Sequence, residues 1–198
     1  LSQRIGDAEM ARLWTAHDRA ARDLLPAWRG REIDKTDGML LLFEAPADAV
    51  GYALAYQKAL RALDPPLETR VGLHVGPVTL RENSPPDIAR GAKPFEVDGV
   101  AKSIAARVMS VASGGQILLS ADARQAIGDD GVRLQSHGHW RLKGVGEPIE
   151  LFEAGEVVDV AAQEGDADHS GVADLADEVV EVAFLPTGDE LEVGQVGV

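Results

Sequence analysis

The strongest hydrophobic pattern in the chain is the unbroken apolar run Met39 to Phe43, which follows the weakly alternating polar stretch Arg31 to Thr36. Between them lies Asp37-Gly38, which is typical of a two-residue hairpin turn because glycine accepts the positive φ that such a turn requires. An apolar run of strand length indicates a strand buried on both faces. The pattern therefore predicts a β-hairpin with the carboxylate of Asp37 at its turn, where an exposed acid can meet a cation.

Periodicity predicts the other elements of the first 155 residues. The predicted helices are 7–28, 47–63, 100–110 and 121–127, and the predicted strands are 69–81, 116–120, 132–143 and 149–154. Residues 83–94, rich in proline, glycine and charge, are predicted to form a loop. Because strands alternate with helices and hairpins occur at both ends, we predict an α+β fold of the ferredoxin-like βαβ type, with a mixed or antiparallel sheet and helices packed on one face.

The predicted strand 69–81 contains two glycines, Gly72 and Gly76. Glycine inside a strand weakens it unless backbone or ligand approaches closely, so we expect a close contact at these positions. His74 lies between the two glycines. We interpret it as a packed core histidine rather than a catalytic base.

The chain changes character at Glu156, and from this residue onward it carries 12 acidic residues and no lysine or arginine. The small, acidic segment 163–177 is typical of a solvated linker. Residues 179–198 alternate as in a hairpin, which is either the start of another module or an addition to a sheet edge. We therefore predict a domain over 1–155 and an extension over 156–198, and we expect the domain to fold without the extension.

Composition and charge limit the ligands and the cellular location that we expect for this domain. The net charge of −14 falls mostly on the extension, since 21 acidic and 19 basic residues precede Glu156. Such a balance, with few aromatic residues, argues against nucleic-acid binding. The absence of cysteine favours the cytoplasm, and no apolar run approaches the roughly 18 residues of a membrane helix. Because the first residue is Leu1, we expect the chain to belong to a longer protein with further domains.

Five segments in one order carry a resemblance to a known family. They are the hairpin Gly30–Phe43, the run Val71–Gly76, the helical segment Ser103–Arg107, the strand Gly114–Ser120 and the loop Arg141–Gly144. In this order and spacing, residues 1–154 resemble the class III nucleotidyl cyclase catalytic domain, the family of adenylate and guanylate cyclases. The resemblance implies the ferredoxin-like βαβ plan of that family, without a visible first strand.

The resemblance implies an enzyme that converts a nucleoside triphosphate into a 3′,5′-cyclic monophosphate and pyrophosphate in intracellular signalling. Family members hold two Mg²⁺ or Mn²⁺ ions with two aspartates, one of them in the hairpin turn, where Asp37 stands here. The hairpin is one residue shorter than usual, with Thr36-Asp37 in place of Gly-Asp. The other aspartate belongs to a strand that would precede Leu1.

Two positions in the family recognise the purine base. The shortened hairpin puts either Asp34 or Lys35 at the first position and Glu96 at the second. Lys35 with Glu96 would suit adenine, whereas Asp34 would accept hydrogen bonds from the N1 and N2 donors of guanine. We favour ATP as the substrate, with GTP as the alternative.

The family also pairs a ribose-orienting Asn with a phosphate-binding Arg one helical turn later. Ser103 and Arg107 occupy these places, four residues apart and hence on one helix face. Lys143 matches a phosphate-binding lysine of some members. Family sites form between two protomers, so a homodimer is implied. The alternative interpretation is a degenerate, non-catalytic domain for dimerisation or nucleotide sensing, which Ser103 and the short hairpin favour.

Overall fold

Helices and strands alternate along the chain, as the periodicity predicts. The structure, a computed structural model, describes residues 6–36, 38–128 and 132–155 and the backbone of residues 178–184. The helices are α1 (Asp7–Leu24), α2 (Pro46–Arg61), α3 (Pro85–Ala89), α4 (Val100–Ser110) and α5 (Ala121–Ile127), and a 3-10 turn, Leu25–Trp28, follows α1. The strands are β1 (Arg31–Lys35), β2 (Gly38–Phe43), β3 (Thr69–Val75), β4 (Thr79–Glu82), β5 (Phe95–Asp98), β6 (Ile117–Ser120), β7 (Arg133–Trp140), β8 (Ile149–Gly155) and β9 (Glu178–Phe184).

Seven of these strands form one mixed sheet, which confirms the predicted α+β class. Their order is β1-β2-β9-β3-β6-β8-β7. At one end β1 pairs antiparallel with β2, and at the other end β8 pairs antiparallel with both β6 and β7. In the middle, β9 runs parallel to β2 and β3, and β3 runs parallel to β6. None of the helices among the described residues is long and apolar enough to cross a membrane.

Both faces of β2 are buried, as its unbroken apolar run predicts. Met39, Leu41 and Phe43 pack on one side with residues of α1 and α2, while Leu40 and Leu42 pack on the other with Ala105 of α4. The prediction that helices cover one face is therefore wrong, because α4 covers the second. Side chains alternate across a strand, so a strand with five consecutive apolar residues needs a cover on each side.

The centre of the sheet is formed by a strand from the acidic end of the chain. The backbone of β9 pairs in parallel with β2 from Gly38 to Phe43 and with β3 from Thr69 to Val75. The sequence pattern indicated a hairpin there, at a sheet edge or in another module; the structure instead places its first strand between β2 and β3. Residues 185–198, the rest of that predicted hairpin, lie outside the described residues.

Residues 83–94, predicted as a loop, hold the short helix α3 and lead into a second, smaller sheet. The predicted strand 69–81 is two strands, since β3 ends at Val75 and β4 begins at Thr79. β4 pairs antiparallel with β5, and Arg81 lies opposite Glu96 in that ladder. We call this two-stranded sheet the β4–β5 ribbon. It stands beside β1, at the edge of the main sheet.

The close approach predicted at Gly72 and Gly76 is present in the structure. A Cβ atom at Gly72 would lie 2.3 Å from the backbone nitrogen of Met109, and one at Gly76 would lie 2.9 Å from the Cβ of Ala101. Both contacts are with α4, which therefore rests directly on β3. Glycine is needed at Gly72 because any side chain would push this helix off the sheet.

We expect Gly72→Ala to destabilise the protein by about 1–3 kcal/mol through overpacking. For a chain of this length the melting temperature should fall by roughly 5 °C, measured by circular dichroism. Gly146→Ala is the matched control, because a Cβ at Gly146 meets nothing within 4 Å. Equal melting temperatures for the two variants would contradict the close packing of α4 on β3.

Candidate functional site

The exposed face of α4 carries the two helical residues that the sequence singled out. Ser103 and Arg107 are both exposed and one turn apart, while the opposite face buries Ala105, Val108 and Met109 against the sheet. The amphipathic pattern of α4 fixes this orientation, since its apolar residues must face β3. The guanidinium of Arg107 is thus free to meet an anion from solvent or from another molecule.

A cleft of about 370 Å³ lies between β1, the β4–β5 ribbon and the first turn of α4. It brings together two of the predicted base-recognition residues, Asp34 from β1 and Glu96 from β5. Its volume falls in the range of small-molecule sites. The lining residues are Ile33, Asp34, Gly91, Ala92, Lys93, Phe95, Glu96, Val97, Asp98 and Lys102.

Glu96 is held in place by two residues of the β4 side that the sequence analysis missed. The guanidinium of Arg81 donates to Glu96 Oε2 and, at 3.2 Å, to Asp98. The side-chain amide of Asn83 donates to Glu96 Oε1 at 3.1 Å. Both oxygens of Glu96 therefore have donors before any ligand arrives. The only sequence signal was the charge alternation of β4 and β5, which reads as a solvated surface.

Lys35 does not line the cleft. Its ammonium lies 2.7 Å from the carboxylate of Asp18 on α1, and Asp18 in turn contacts the buried ring of His17 at 3.0 Å. Burial alone would raise the pKa of Asp18, but hydrogen bonds with Lys35 and His17 lower it overall. Of the two residues considered for the first base-recognition position, Asp34 is therefore the one that faces the cleft.

Asp34 is paired across the cleft with Lys93, another residue that the sequence analysis missed. The ammonium of Lys93, in the segment between α3 and β5, makes an ion pair with Asp34 Oδ1. Lys102 adds a second ammonium from the first turn of α4. The cleft thus offers both carboxylates and cations, a combination suited to a polar ligand that carries both donors and acceptors.

The remaining site candidates lie elsewhere. Asp37 falls outside the described residues; its neighbours Thr36 and Gly38 close the hairpin through a 3.0 Å hydrogen bond. Among the described residues no group of three or more His, Cys, Asp or Glu side chains is placed to hold a metal ion. Lys143 is exposed in the turn between β7 and β8. Those strands form the opposite edge of the sheet from β1, so Lys143 does not join the cleft of its own chain.

His74 is a packed core residue, as the sequence predicts. It is 4% exposed, and its Nδ1 lies 2.8 Å from the hydroxyl of Ser120, which caps α5. Burial lowers the pKa of His74, and the carboxylate of Asp122 opposes this only in part. A neutral, buried imidazole in this position joins β3 to α5 and takes no part in the cleft.

Comparison with known proteins identifies the fold. No family model and no curated protein matches the chain. Solved structures do match, among them the adenylyl cyclase CyaB from P. aeruginosa, with 17% identity and a TM-score of 0.68 over 80% of this chain and 88% of that one. Adenylate cyclases from Trypanosoma brucei in their monomeric state match with 22% identity and a TM-score of 0.64, over 80% of this chain and 82% of that one. The guanylate cyclase domain of RhGC from Catenaria anguillulae in complex with GTP matches with 17% identity and a TM-score of 0.57, over 78% of this chain and 88% of that one. The chain has the fold of the class III adenylyl and guanylyl cyclase catalytic domain.

Proposed function

We propose that this protein is a nucleotidyl cyclase, a phosphorus–oxygen lyase that forms a 3′,5′-cyclic nucleotide in intracellular signalling. The observation that carries the proposal is the cleft on this fold, which Asp34 and Glu96 line, together with the exposed Arg107 on the outer face of α4. A purine base fits the chemistry of the cleft, and an exposed guanidinium fits the triphosphate. Fold alone does not assign chemistry, so the residues of the site carry the argument.

In the proposed reaction the ribose 3′-hydroxyl loses its proton to solvent as its oxygen attacks the α-phosphorus. The bond from that phosphorus to the oxygen that bridges the α- and β-phosphates breaks, and pyrophosphate leaves with the electron pair of that bond. Arg107 would donate forked hydrogen bonds to phosphate oxygens and balance their developing charge. Ser103, one turn before it on the same face, would orient the ribose. Such chemistry depends on positioning and charge neutralisation more than on covalent groups.

We assign Mg²⁺ or Mn²⁺ as the cofactor, with Asp37 as a metal ligand. When bound, the metal neutralises charge on the phosphates. This assignment depends on the place of Asp37 in the sequence, between β1 and β2, because the described residues contain no cluster that would hold a metal ion by itself. Asp37 and the cleft residue Asp34 belong to the same hairpin, which would bring metal and base to one nucleotide.

We also propose a cytoplasmic homodimer with two symmetric sites, each formed by the cleft of one protomer and α4 of its partner. Ser103 and Arg107 lie on the outer face of α4, turned away from the sheet of their own chain. Residues in that position are accessible to a second molecule. Lys143, at the opposite edge of the sheet from the cleft, would likewise reach a phosphate only across such an interface.

The geometry of the cleft favours guanine over adenine. The preference for ATP depended on Lys35, which the structure pairs with Asp18 instead. The residue that faces the cleft is Asp34, and a carboxylate accepts hydrogen bonds from the N1 and N2 donors of guanine. We therefore propose GTP as the preferred substrate.

We expect the protein, supplied with Mn²⁺, to form cyclic GMP faster than cyclic AMP, with both products measured by chromatography. Asp34→Asn should lower kcat/KM for GTP by about tenfold or more, because a charged hydrogen bond to the base is weakened. Lys35→Met, the matched control, should leave the ratio of the two products unchanged. Cyclic AMP as the main product would show that Asp34 does not select the base.

The same experiment tests the alternative, a nucleotide-sensing domain without catalysis. Ser103 favours that alternative, because its side chain is shorter than the Asn of the cyclase family. Binding of GTP without formation of either cyclic product, with all variants equally inactive, would establish it.

A further inference from the structure

The cleft contains one ion pair that crosses it from side to side, between Lys93 and Asp34. Asp34 lies on β1 of the main sheet, whereas Lys93 precedes β5 of the β4–β5 ribbon. The Lys93 side chain is 47% exposed and that of Asp34 is 26% exposed. The pair therefore stands where a ligand entering the cleft from solvent would meet it.

The backbone at Lys93 is fixed, so that only its side chain is free to adjust. The side-chain amide of Asn83 donates to the carbonyl of Lys93 at 2.8 Å, and the backbone N–H of Asn83 donates to the carbonyl of Pro94 at 3.0 Å. A lysine with an anchored backbone delivers its ammonium to a limited region, here the mouth of the cleft. Preorganisation of this kind lowers the entropic cost of binding.

The Lys93–Asp34 pair keeps more of its hydrogen-bonding capacity than Glu96 does. Both oxygens of Glu96 accept from Arg81 and Asn83. The contact between Lys93 and Asp34 is an ion pair without hydrogen-bond geometry, and Asp34 Oδ1 is a buried oxygen with no hydrogen-bond partner among the described residues. An ammonium has three donors, and a carboxylate has two oxygens with several acceptor sites. Side by side, Lys93 and Asp34 present a donor next to an acceptor on the wall of the cleft.

We infer that Lys93 is a base-specificity residue that donates a hydrogen bond to the oxygen at position 6 of guanine while Asp34 accepts from its N1 and N2 groups. This inference rests on the proposed function and names a recognition contact within it. Guanine carries an acceptor at position 6, whereas adenine carries an amino donor there, which an ammonium cannot accept. The pair of residues thus matches the donor and acceptor order of the guanine edge.

The test is equilibrium binding of three triphosphates to the intact protein and to Lys93→Met. Guanosine and inosine triphosphates both carry the position-6 oxygen, and 2-aminopurine riboside triphosphate lacks it. We expect Lys93→Met to weaken the first two by about ten- to hundredfold, the scale of a charged hydrogen bond, and to leave the third nearly unchanged. Lys93→Arg, which keeps a cationic donor, should recover most of the loss.

Arg90→Met is the matched control, since Arg90 lies in the same segment and pairs with Asp87 at 3.2 Å outside the cleft. If Lys93→Met weakened the binding of all three triphosphates equally, the inference would be overturned, and the ion pair would have only a structural role. The inference would also be overturned if Lys93→Met weakened the binding of none of the three triphosphates. Because binding is measured without turnover, a protein that binds guanine selectively through Lys93 but forms no cyclic product would retain this inference and refute the proposed function.

Discussion

Replacing Asp37 with asparagine is expected to lower cyclic-nucleotide formation with Mn²⁺ by at least about a hundredfold, the scale of losing one key electrostatic contact in a preorganised site. Asparagine has nearly the same shape and is also favoured in tight turns, so the hairpin between β1 and β2 should survive. What it lacks is the negative charge that balances a divalent cation. Initial rates over a range of Mn²⁺ concentrations measure the effect, and the loss should persist at saturating metal.

Asp23→Asn is the control for the Asp37 variant, because Asp23 is an exposed carboxylate on α1, away from the cleft. It should retain parental activity. If each site takes Asp37 from one protomer and Arg107 from the other, mixing equal amounts of Asp37→Asn and Arg107→Ala should restore about a quarter of the parental rate, since half of the dimers then carry one intact site of two. Near-parental turnover by Asp37→Asn alone would refute the metal assignment.

The sequence predicted the elements whose hydrophobic pattern is strong and local. The run Met39 to Phe43 has the length of a strand covered on both sides and follows a turn signal, and α4 shows clear helical spacing. The β4–β5 ribbon as a separate, paired sheet escaped prediction for the opposite reason, although most of β4 lay within the predicted strand 69–81. Its strands have four residues each and carry charges that pair only across the ladder, as Arg81 does with Glu96. Pairing between distant residues leaves no periodic signal in the chain.

The choice between Asp34 and Lys35 shows a second limit. The ladder between β1 and β2 shifts register between Glu32 and Asp34. A shift of one residue moves every later side chain to the other face of a strand. The sequence contains both candidates at neighbouring positions, but only the three-dimensional pairing shows that Lys35 meets Asp18 and that Asp34 meets the cleft. The sequence therefore narrowed the choice to two neighbouring residues of opposite charge, and the structure shows that the anionic one, Asp34, lines the cleft.

Removal of the acidic end of the chain is the second change for which we expect a large effect, this time on stability. Here the sequence and the structure lead to opposite expectations. The apolar periodicity of the first domain is complete by Phe152, which predicts that this domain folds without residues 156–198. The structure places β9 between β2 and β3, with backbone pairing along both neighbours. Removal of a central strand would leave two rows of backbone groups without partners, and buried groups of that kind are costly.

We therefore expect a chain ending at residue 155 to melt at least about 5 °C below the parent, or to aggregate through the opened strands β2 and β3. A chain ending at residue 184 is the control, because it retains β9, and it should melt close to the parent. Val182→Pro is a second route to the same effect, since proline at the position paired with Leu41 and Leu73 removes a backbone donor in the middle of β9. Equal melting temperatures for chains ending at residues 155 and 198 would instead support the domain boundary drawn from the sequence, because β9 would then add nothing to the stability of the sheet.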